Sequence, residues 1–297
     1  MWLAHQRGRC ALLSGRIETA RRWLREALAR CEQRQSIGPY RLVLSALATA
    51  EACAGRVDLA AQAVVELDEL PPFPFVEPEQ DLGRAWSLVV AGDLPAGREI
   101  LRLAAARAAT SGYRTCEAWL LHDIVRLGDP STAVDRLQEL AAETEGELVT
   151  AYAAHAVAAA SARPELLEAV AGLGEQLGAL LLAAEAAIEA AQAHQRQGDR
   201  KAATAWGVRA ATLAGSCEGA QTPALSSVVV VVPLTPRERD VAALAAQGRS
   251  SQVIADQLFL SVRTVNNHLQ SVYAKLGISG RRQLAGALSP PPDLAQG

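Results

Sequence analysis

The feature that most constrains the fold is a turn signal that recurs along residues 1–218. A glycine followed by arginine or aspartate ends one helix-like pattern and precedes the next. Glycine suits this place because it adopts a left-handed conformation at a helix end without steric cost. The signal occurs at Gly15-Arg16, Gly55-Arg56, Gly92-Asp93, Gly128-Asp129 and Gly198-Asp199. Arg163-Pro164 lies midway in the last, doubled interval, so six turns recur every 35 to 40 residues.

The stretches between these turns are long enough for two helices each. After Gly15 one face of the predicted helix is apolar and consists of Ile17, Ala20, Trp23, Leu24, Ala27 and Leu28. Arginines, Arg21 among them, occupy much of the remaining surface of that helix. This period predicts helical hairpins stacked into an array. It resembles tetratricopeptide repeats in period and pattern; an irregular helical bundle is the alternative.

The net charge of −3 conceals an asymmetry between the two parts of the chain. Residues 234–297 hold seven Lys/Arg against four Asp/Glu, a balance of +3, which leaves −6 for the remainder. A basic segment on an acidic body is expected of a nucleic-acid-binding module joined to another domain. Ordinary variation in composition explains the charges equally well.

Several classes of function lack their motifs in this sequence. The five cysteines are widely spaced and form no C-x-x-C pair, which predicts free thiols in a reducing cytoplasm instead of disulfides or a zinc site. Lys201 and Lys275 follow no Gly-x-x-x-x-Gly pattern, and neither a nucleophile elbow nor His-Glu-x-x-His occurs. We therefore expect no enzyme, no cofactor and no metal. No segment is apolar over a length that spans a membrane.

Residues 234–288 carry the sharpest local signals. Thr235 and Glu238 form a capping box around Pro236, which predicts the start of a helix. The helix boundaries that follow are predicted at Gly248, Ser250, Ser261, Gly277 and Ser279. They define four helices, the last of them short and carrying Leu284 and Leu288.

The third of these helices separates an apolar face from a polar one. Its apolar face consists of Val262, Val265, Leu269, Val272 and Leu276, spaced by three and four residues. Its opposite face presents Arg263, Asn266, Asn267 and Gln270. Two short helices joined by a tight turn, the second with amides outward, predict a helix-turn-helix.

This C-terminal region resembles the LuxR-type (GerE-like) DNA-binding domain over about 55 residues without a gap. The matching positions are Leu234 to Glu238, Gly248, Ile254, Ala255, Leu258, Ser261, Thr264, Val265, His268, Lys275 and Leu276. Val253 stands where the family carries an acidic residue. The expected fold is thus all-α: a tetratricopeptide-like helical repeat array (1–218), a linker (219–233) whose five valines favour an extended conformation, and a four-helix LuxR-type domain (234–297).

The resemblance implies a role for each polar side chain of the third helix. Asn266, Asn267 and Gln270 lie where the family reads bases, and amides bond N6 and N7 of adenine together. Residues placed for phosphate contacts, which orient the protein, are Ser251, Arg263, Thr264, His268 and Lys275. Arg281 and Leu284 lie where the family commonly dimerises on DNA. A solvated helix face is the alternative for the asparagines, and a place at the core edge is the alternative for His268.

The whole chain resembles the C-terminal part of the large, maltose-regulator-like LuxR regulators, in which an ATPase precedes tetratricopeptide-like repeats. We expect a cytoplasmic bacterial transcriptional regulator that binds double-stranded DNA as a homodimer. RNA polymerase is a further candidate partner, and an unknown ligand or protein is expected to act on the repeats. The alternative is a repeat scaffold whose C-terminal domain serves protein contacts.

Overall fold

The computed structural model describes residues 1–34, 37–73, 77–226, 234–276, 278 and 280–284. These residues form α-helices and two short 3-10 helices, and no strand occurs among them. The all-α prediction is confirmed. The chain divides into two compact units, Met1–Val228 and Val229–Gly297. The extended segment predicted at Val228–Val232 lies outside the described residues.

The first unit, called the helical unit below, consists of six consecutive pairs of helices and one short final helix. Their bounds are α1 Trp2–Leu13, α2 Ile17–Arg34, α3 Ile37–Cys53, α4 Val57–Glu69, α5 Glu77–Val90, α6 Leu94–Thr110, α7 Arg114–Arg126, α8 Val134–Glu143, α9 Glu147–Ser161, α10 Pro164–Gln176, α11 Leu180–Arg196, α12 Arg200–Gly215 and α13 Pro223–Ser226. The two helices of each pair pack against each other. A 3-10 turn, Pro130–Thr132, precedes α8.

Each pair is joined at one of the six predicted turns. Five turns place their glycine at a positive φ between 71° and 97°, namely Gly15, Gly55, Gly92, Gly128 and Gly198. The sixth uses Ala162, whose φ is 50°, before Arg163 and Pro164 begin α10. The turn signal therefore predicted every hairpin, whereas the tetratricopeptide-like regularity of the array stays a prediction.

The apolar face predicted for α2 is buried as expected. Ile17, Ala20 and Leu24 are fully buried. Arg21, predicted on the polar surface, is buried too, and that prediction was wrong. Its Nε donates to Glu51 Oε2 on α3 at 2.8 Å, so a buried carboxylate of the next helix compensates the charge.

The second unit, called the C-terminal domain below, has three α-helices and a 3-10 turn among its described residues. These are α14 Pro236–Ala246, α15 Ser251–Leu258, α16 Val262–Leu276 and the turn Arg281–Gln283. Its core consists of Leu234, Val241, Ala242, Ala245, Ile254, Ala255, Val265, Leu269, Val272 and Leu284. The capping box at Thr235 and Glu238 is present. The boundaries predicted at Gly277 and Ser279, and Leu288 of the fourth helix, lie outside the described residues.

Candidate functional site

The start of α16 is fixed by a tight turn and a cap. Phe259 ends α15 in a left-handed conformation with a φ of 54°, which turns the chain toward α16. The hydroxyl of Ser261 then accepts a hydrogen bond from the backbone N–H of Thr264 at 3.0 Å. This is the N-cap geometry that satisfies an otherwise unpaired donor in the first helical turn.

The rotation of α16 is set by its buried face. Val265 and Val272 are fully buried in the core of the C-terminal domain, with Leu269 between them. Because these residues recur at helical spacing, the opposite side of α16 faces away from the core. We call that side, as it stands among the described residues of the C-terminal domain, the free face of α16.

Four predicted DNA contacts lie on this free face. Arg263, Asn266, Asn267 and Gln270 are all exposed. Neither asparagine side chain makes a hydrogen bond to another described residue, and the same holds for the Gln270 side chain. Their amides are therefore available to an external partner without breaking an internal contact.

The other predicted phosphate contacts are less exposed. Ser251 is the first residue of α15 and is half-buried, as are Thr264 and His268 on α16. Thr264 also shares a hydroxyl hydrogen bond of 2.7 Å with Ser261. Their roles toward DNA stay predictions.

Lys275, also predicted to contact phosphate, has a partner inside the domain. Its ammonium group donates to Glu238 Oε2 at 2.6 Å. The same carboxylate accepts from Ser271 Oγ at 2.6 Å and from the backbone N–H of Thr235 at 2.7 Å. Glu238 thus joins the N-terminus of α14 to the last turns of α16. Sequence reasoning found the capping box but not these contacts across 33 and 37 residues.

The Glu238 network makes the C-terminal domain sensitive to acid. Burial opposes ionisation of Glu238, but hydrogen bonds from Lys275, Ser271 and Thr235 outweigh it and lower its pKa from 4.5 to about 2. A lowered folded-state pKa contributes stability that is present above pH 5 and is lost as pH falls toward 2.

We expect unfolding of residues 228–297 by urea, followed by circular dichroism, to show a loss of up to about 3 kcal/mol over that range. Glu238→Gln removes most of this pH dependence, and Asp256→Asn, at an exposed carboxylate, leaves it. The same acid sensitivity in Glu238→Gln and the wild type contradicts the assignment.

The two residues predicted at a dimer contact differ in accessibility. Arg281 is half-buried, whereas Leu284 is fully buried in the core of the domain. The Leu284 side chain therefore packs inside one copy of the domain. Its backbone leads into residues that the structure does not describe.

The helical unit contains a buried charged cluster that the sequence did not reveal. Arg126 donates to both carboxylate oxygens of Glu185, at 2.7 and 2.9 Å, and to Asp123 at 2.7 Å. The indole of Trp86 donates to Asp123 at 2.8 Å and lies 4.7 Å from the guanidinium. Both carboxylates are 1% exposed, so the cluster depends on its one arginine for compensation.

A cavity of about 40 Å³ adjoins this cluster. Its lining residues are Leu12, Leu13, Thr49, Cys53, Trp119, His122, Asp123, Arg126, Leu148, Tyr152, Ala179, Leu181 and Leu182. His122 stacks on Tyr152 and lies 3.0 Å from His155 Nδ1. Burial, His155 and Arg126 hold the pKa of His122 well below its ordinary value, so this imidazole is neutral. The Tyr152 hydroxyl makes no hydrogen bond to a described residue.

In the part of the chain that the structure describes, no cluster of His, Cys, Asp or Glu has the arrangement of a metal site. Among the same residues, no helix combines the length and apolarity needed to cross a membrane.

The geometry of α15, the Phe259 turn and the free face of α16 defines a helix-turn-helix domain. Residues 232–287 match the family of bacterial regulatory proteins described as the luxR family. The chain belongs to that LuxR family, and its C-terminal domain is the family's helix-turn-helix.

Individual relatives match the same domain. Spore germination protein GerE of Bacillus subtilis is 46% identical over 50 residues, which cover 17% of this chain and 68% of GerE. An HTH-type transcriptional regulator of Mycobacterium bovis is 57% identical over 51 residues, 17% of this chain and 6% of that protein. The DNA-binding transcriptional activator DevR/DosR of Mycobacterium tuberculosis is 40% identical over 52 residues, 18% of this chain and 24% of its own.

The matched segment spans about 6% of the length of three HTH-type transcriptional regulators of Mycobacterium. No solved structure matches the chain. The fold of the helical unit is therefore derived from its own sequence and geometry, without a solved relative.

Proposed function

We propose that this protein regulates transcription by sequence-specific binding of double-stranded DNA through α16. The observation that carries the proposal is the free face, on which the side-chain amides of Asn266, Asn267 and Gln270 have no hydrogen-bond partner among the described residues and lie beside Arg263. Amides bond the N6 and N7 groups of adenine in the major groove, and this contact discriminates between bases. A face free of carboxylates also suits the approach to phosphates.

The remaining polar residues position the domain on DNA. Arg263 is the principal phosphate contact in this proposal, since it is exposed and makes no ion pair with a described residue. Ser251, Thr264 and His268 make further phosphate contacts in this proposal. Lys275 contacts a phosphate with a donor that its ion pair with Glu238 does not use. Two copies of the chain meet on DNA near Arg281, and the same assembly presents a surface to RNA polymerase.

A salt titration of residues 228–297 tests DNA binding directly. Each phosphate contact releases counterions, so log Kd against log salt changes by about 0.9 per contact. We expect a log–log slope for the association constant of roughly −3 or steeper, from three or more contacts. A slope near zero contradicts the proposal and favours a C-terminal domain that serves protein contacts.

The helical unit is proposed to sense a ligand or a protein. The cavity beside Arg126 combines apolar walls with a few polar groups, as ligand sites do, and its volume of about 40 Å³ admits only a group of a few heavy atoms. Among the polar groups are the neutral His122 and the hydroxyl of Tyr152, which has no hydrogen-bond partner among the described residues. In this proposal one small group of the ligand enters the cavity and bonds Tyr152.

The acidic charge of the helical unit is proposed to weaken DNA binding by the basic C-terminal domain. We expect the full chain to bind one mixed-sequence duplex more weakly than residues 228–297 do, with the largest difference at low salt. Screening over about 10 Å at 0.1 M salt narrows the difference. Parallel titrations of the two proteins measure it, and equal affinities at every salt concentration contradict inhibition through charge.

A further inference from the structure

The segment after α12 returns to the start of the helical unit. We call residues 217–226 the return segment. Glu218 accepts hydrogen bonds from the backbone N–H of Thr19 at 2.7 Å and from its hydroxyl at 2.9 Å, across 199 residues. The backbone N–H of Gln221 donates to the carbonyl of Cys53 at 2.6 Å. Residues 219–226 thus pack on the helical unit, although the sequence predicted a linker from 219.

Two of the repeated turns are shaped for this segment. A Cβ added to Gly15 would lie 2.8 Å from Cys217 Sγ, and one added to Gly55 would overlap the Gln221 side chain. By contrast, nothing lies within 4 Å of such an atom at Gly92 or Gly198. The Gly15 turn therefore admits Cys217 at this distance because it lacks a side chain, whereas at Gly55 the clash involves the flexible end of the Gln221 side chain.

The return segment also reaches the buried charged cluster. Thr222 is 1% exposed, and its hydroxyl donates to Glu185 Oε1 at 2.6 Å. The same oxygen accepts from Arg126 Nη2 at 2.9 Å. A change that moves the Glu185 carboxylate relative to Arg126 therefore also changes the hydrogen bond between Thr222 and Glu185.

The return segment is held by four hydrogen bonds to distant residues and by the packing of Cys217, Ala220 and Leu225 against the core. Glu218 has a φ of 50°, a left-handed conformation that costs a non-glycine residue free energy unless contacts impose it. Each of its hydrogen bonds contributes only a small net stabilisation. Local opening of such a segment needs less free energy than unfolding of the core.

We propose that the return segment is a latch that sets the length of the tether to the DNA-binding domain. This inference rests on the proposed function. With the latch bound, the tether is the eight residues 227–234, a reach of about 28 Å. With it released, the tether is the nineteen residues 216–234, a reach of about 66 Å.

The longer tether weakens the competition between the acidic helical unit and DNA. The effective concentration of tethered groups falls roughly as the −3/2 power of tether length. Lengthening from eight to nineteen residues therefore lowers it about fourfold. A ligand that rearranges the Arg126–Glu185 pair releases Thr222 and so favours DNA binding.

Cys217 reports the state of the latch in the full chain. Its side chain is fully buried, and burial raises the pKa of its thiol to about 11, so the closed form reacts slowly with alkylating reagents. Labelling with N-ethylmaleimide, followed by peptide mass spectrometry, gives its rate. Cys31, also fully buried but on α2, serves as the reference for unfolding of the core.

The variant Glu218→Ala/Thr222→Val removes the side-chain hydrogen bonds of the latch. We expect Cys217 to react about tenfold faster, because the free energy needed to open the latch falls by roughly 1.4 kcal/mol. Cys31 is expected to keep its wild-type rate. Thr222→Ser retains the hydroxyl, and Glu175→Ala removes the same charge from an exposed ion pair with Arg209; both leave the Cys217 rate unchanged.

Two labelling results overturn the latch. One is a Cys217 rate in the double variant within twofold of the wild-type rate. The other is an equal rise at Cys31 in both the double variant and the milder Glu218→Ala, which shows that the segment opens only with the core.

The affinity of the full chain for a mixed-sequence duplex then tests whether the length of the tether affects DNA binding. At low salt we expect the double variant to bind up to about fourfold more tightly than Glu175→Ala. Faster Cys217 labelling with unchanged DNA affinity contradicts the proposal that the latch controls DNA binding through the length of the tether. Loss of DNA binding in every protein, wild type included, contradicts the proposed function instead, and the labelling rates still decide whether the latch opens.

Discussion

Arg126→Met is expected to cost about 3–5 kcal/mol of the stability of the helical unit. The substitution keeps much of the side-chain volume but removes the one cation that compensates Asp123 and Glu185. Two carboxylates that are each 1% exposed are then left uncompensated in the core. Urea unfolding followed by tryptophan fluorescence measures the loss in the full chain, because all five tryptophans lie in residues 1–228.

The matched control is Arg209→Met. Arg209 also pairs with a glutamate, Glu175, but is 52% exposed, so its removal is expected to cost at most about 1 kcal/mol. Equal losses for Arg126→Met and Arg209→Met contradict the account of the cluster. Adding Glu185→Gln to Arg126→Met is expected to recover part of the loss, since it removes one of the buried charges.

Asn267→Ala is expected to cost about 1–3 kcal/mol of binding free energy on a preferred duplex and to relax the preference at one base pair. Asn267 is exposed and its side chain makes no hydrogen bond to another described residue, so we expect the change to leave the fold intact. Fluorescence anisotropy on the preferred duplex and on single-base variants measures both effects. Equal losses on preferred and random duplexes contradict base reading by Asn267.

Arg263→Ala separates positioning from reading. We expect it to weaken binding to all duplexes about equally and to reduce the salt slope by about one unit. It is a cleaner test of a phosphate contact than Lys275→Ala, because Lys275 also stabilises the domain through Glu238. An effect of Arg263→Ala confined to one sequence contradicts its phosphate role.

The hairpins of the helical unit were predictable because their signals are local. A left-handed residue must follow each first helix, and glycine or an Arg-Pro pair marks those places in the sequence. The buried charges were not predictable in the same way. Arg21 with Glu51, and Arg126 with Glu185, meet across 30 and 59 residues, so their pairing depends on how helices of different hairpins pack.

The C-terminal domain shows the same division between local and distant contacts. The caps at Thr235, Ser250 and Ser261 and the two faces of α16 follow from spacing over a few residues, and the structure has them there. The partner of Lys275 lies 37 residues away. For this reason a lysine on a helix end looked free in the sequence, although it is paired in the folded domain.

Sequence-specific DNA binding through α16 is tested most directly by one affinity ratio. Duplexes selected by residues 228–297 from a random library are compared with scrambled duplexes of the same composition at about 0.15 M salt. The account predicts that the wild type prefers the selected duplex by roughly a thousandfold or more. It also predicts that replacing Asn266, Asn267 and Gln270 together by alanine collapses this ratio while salt-dependent binding remains. A wild-type ratio near one contradicts it.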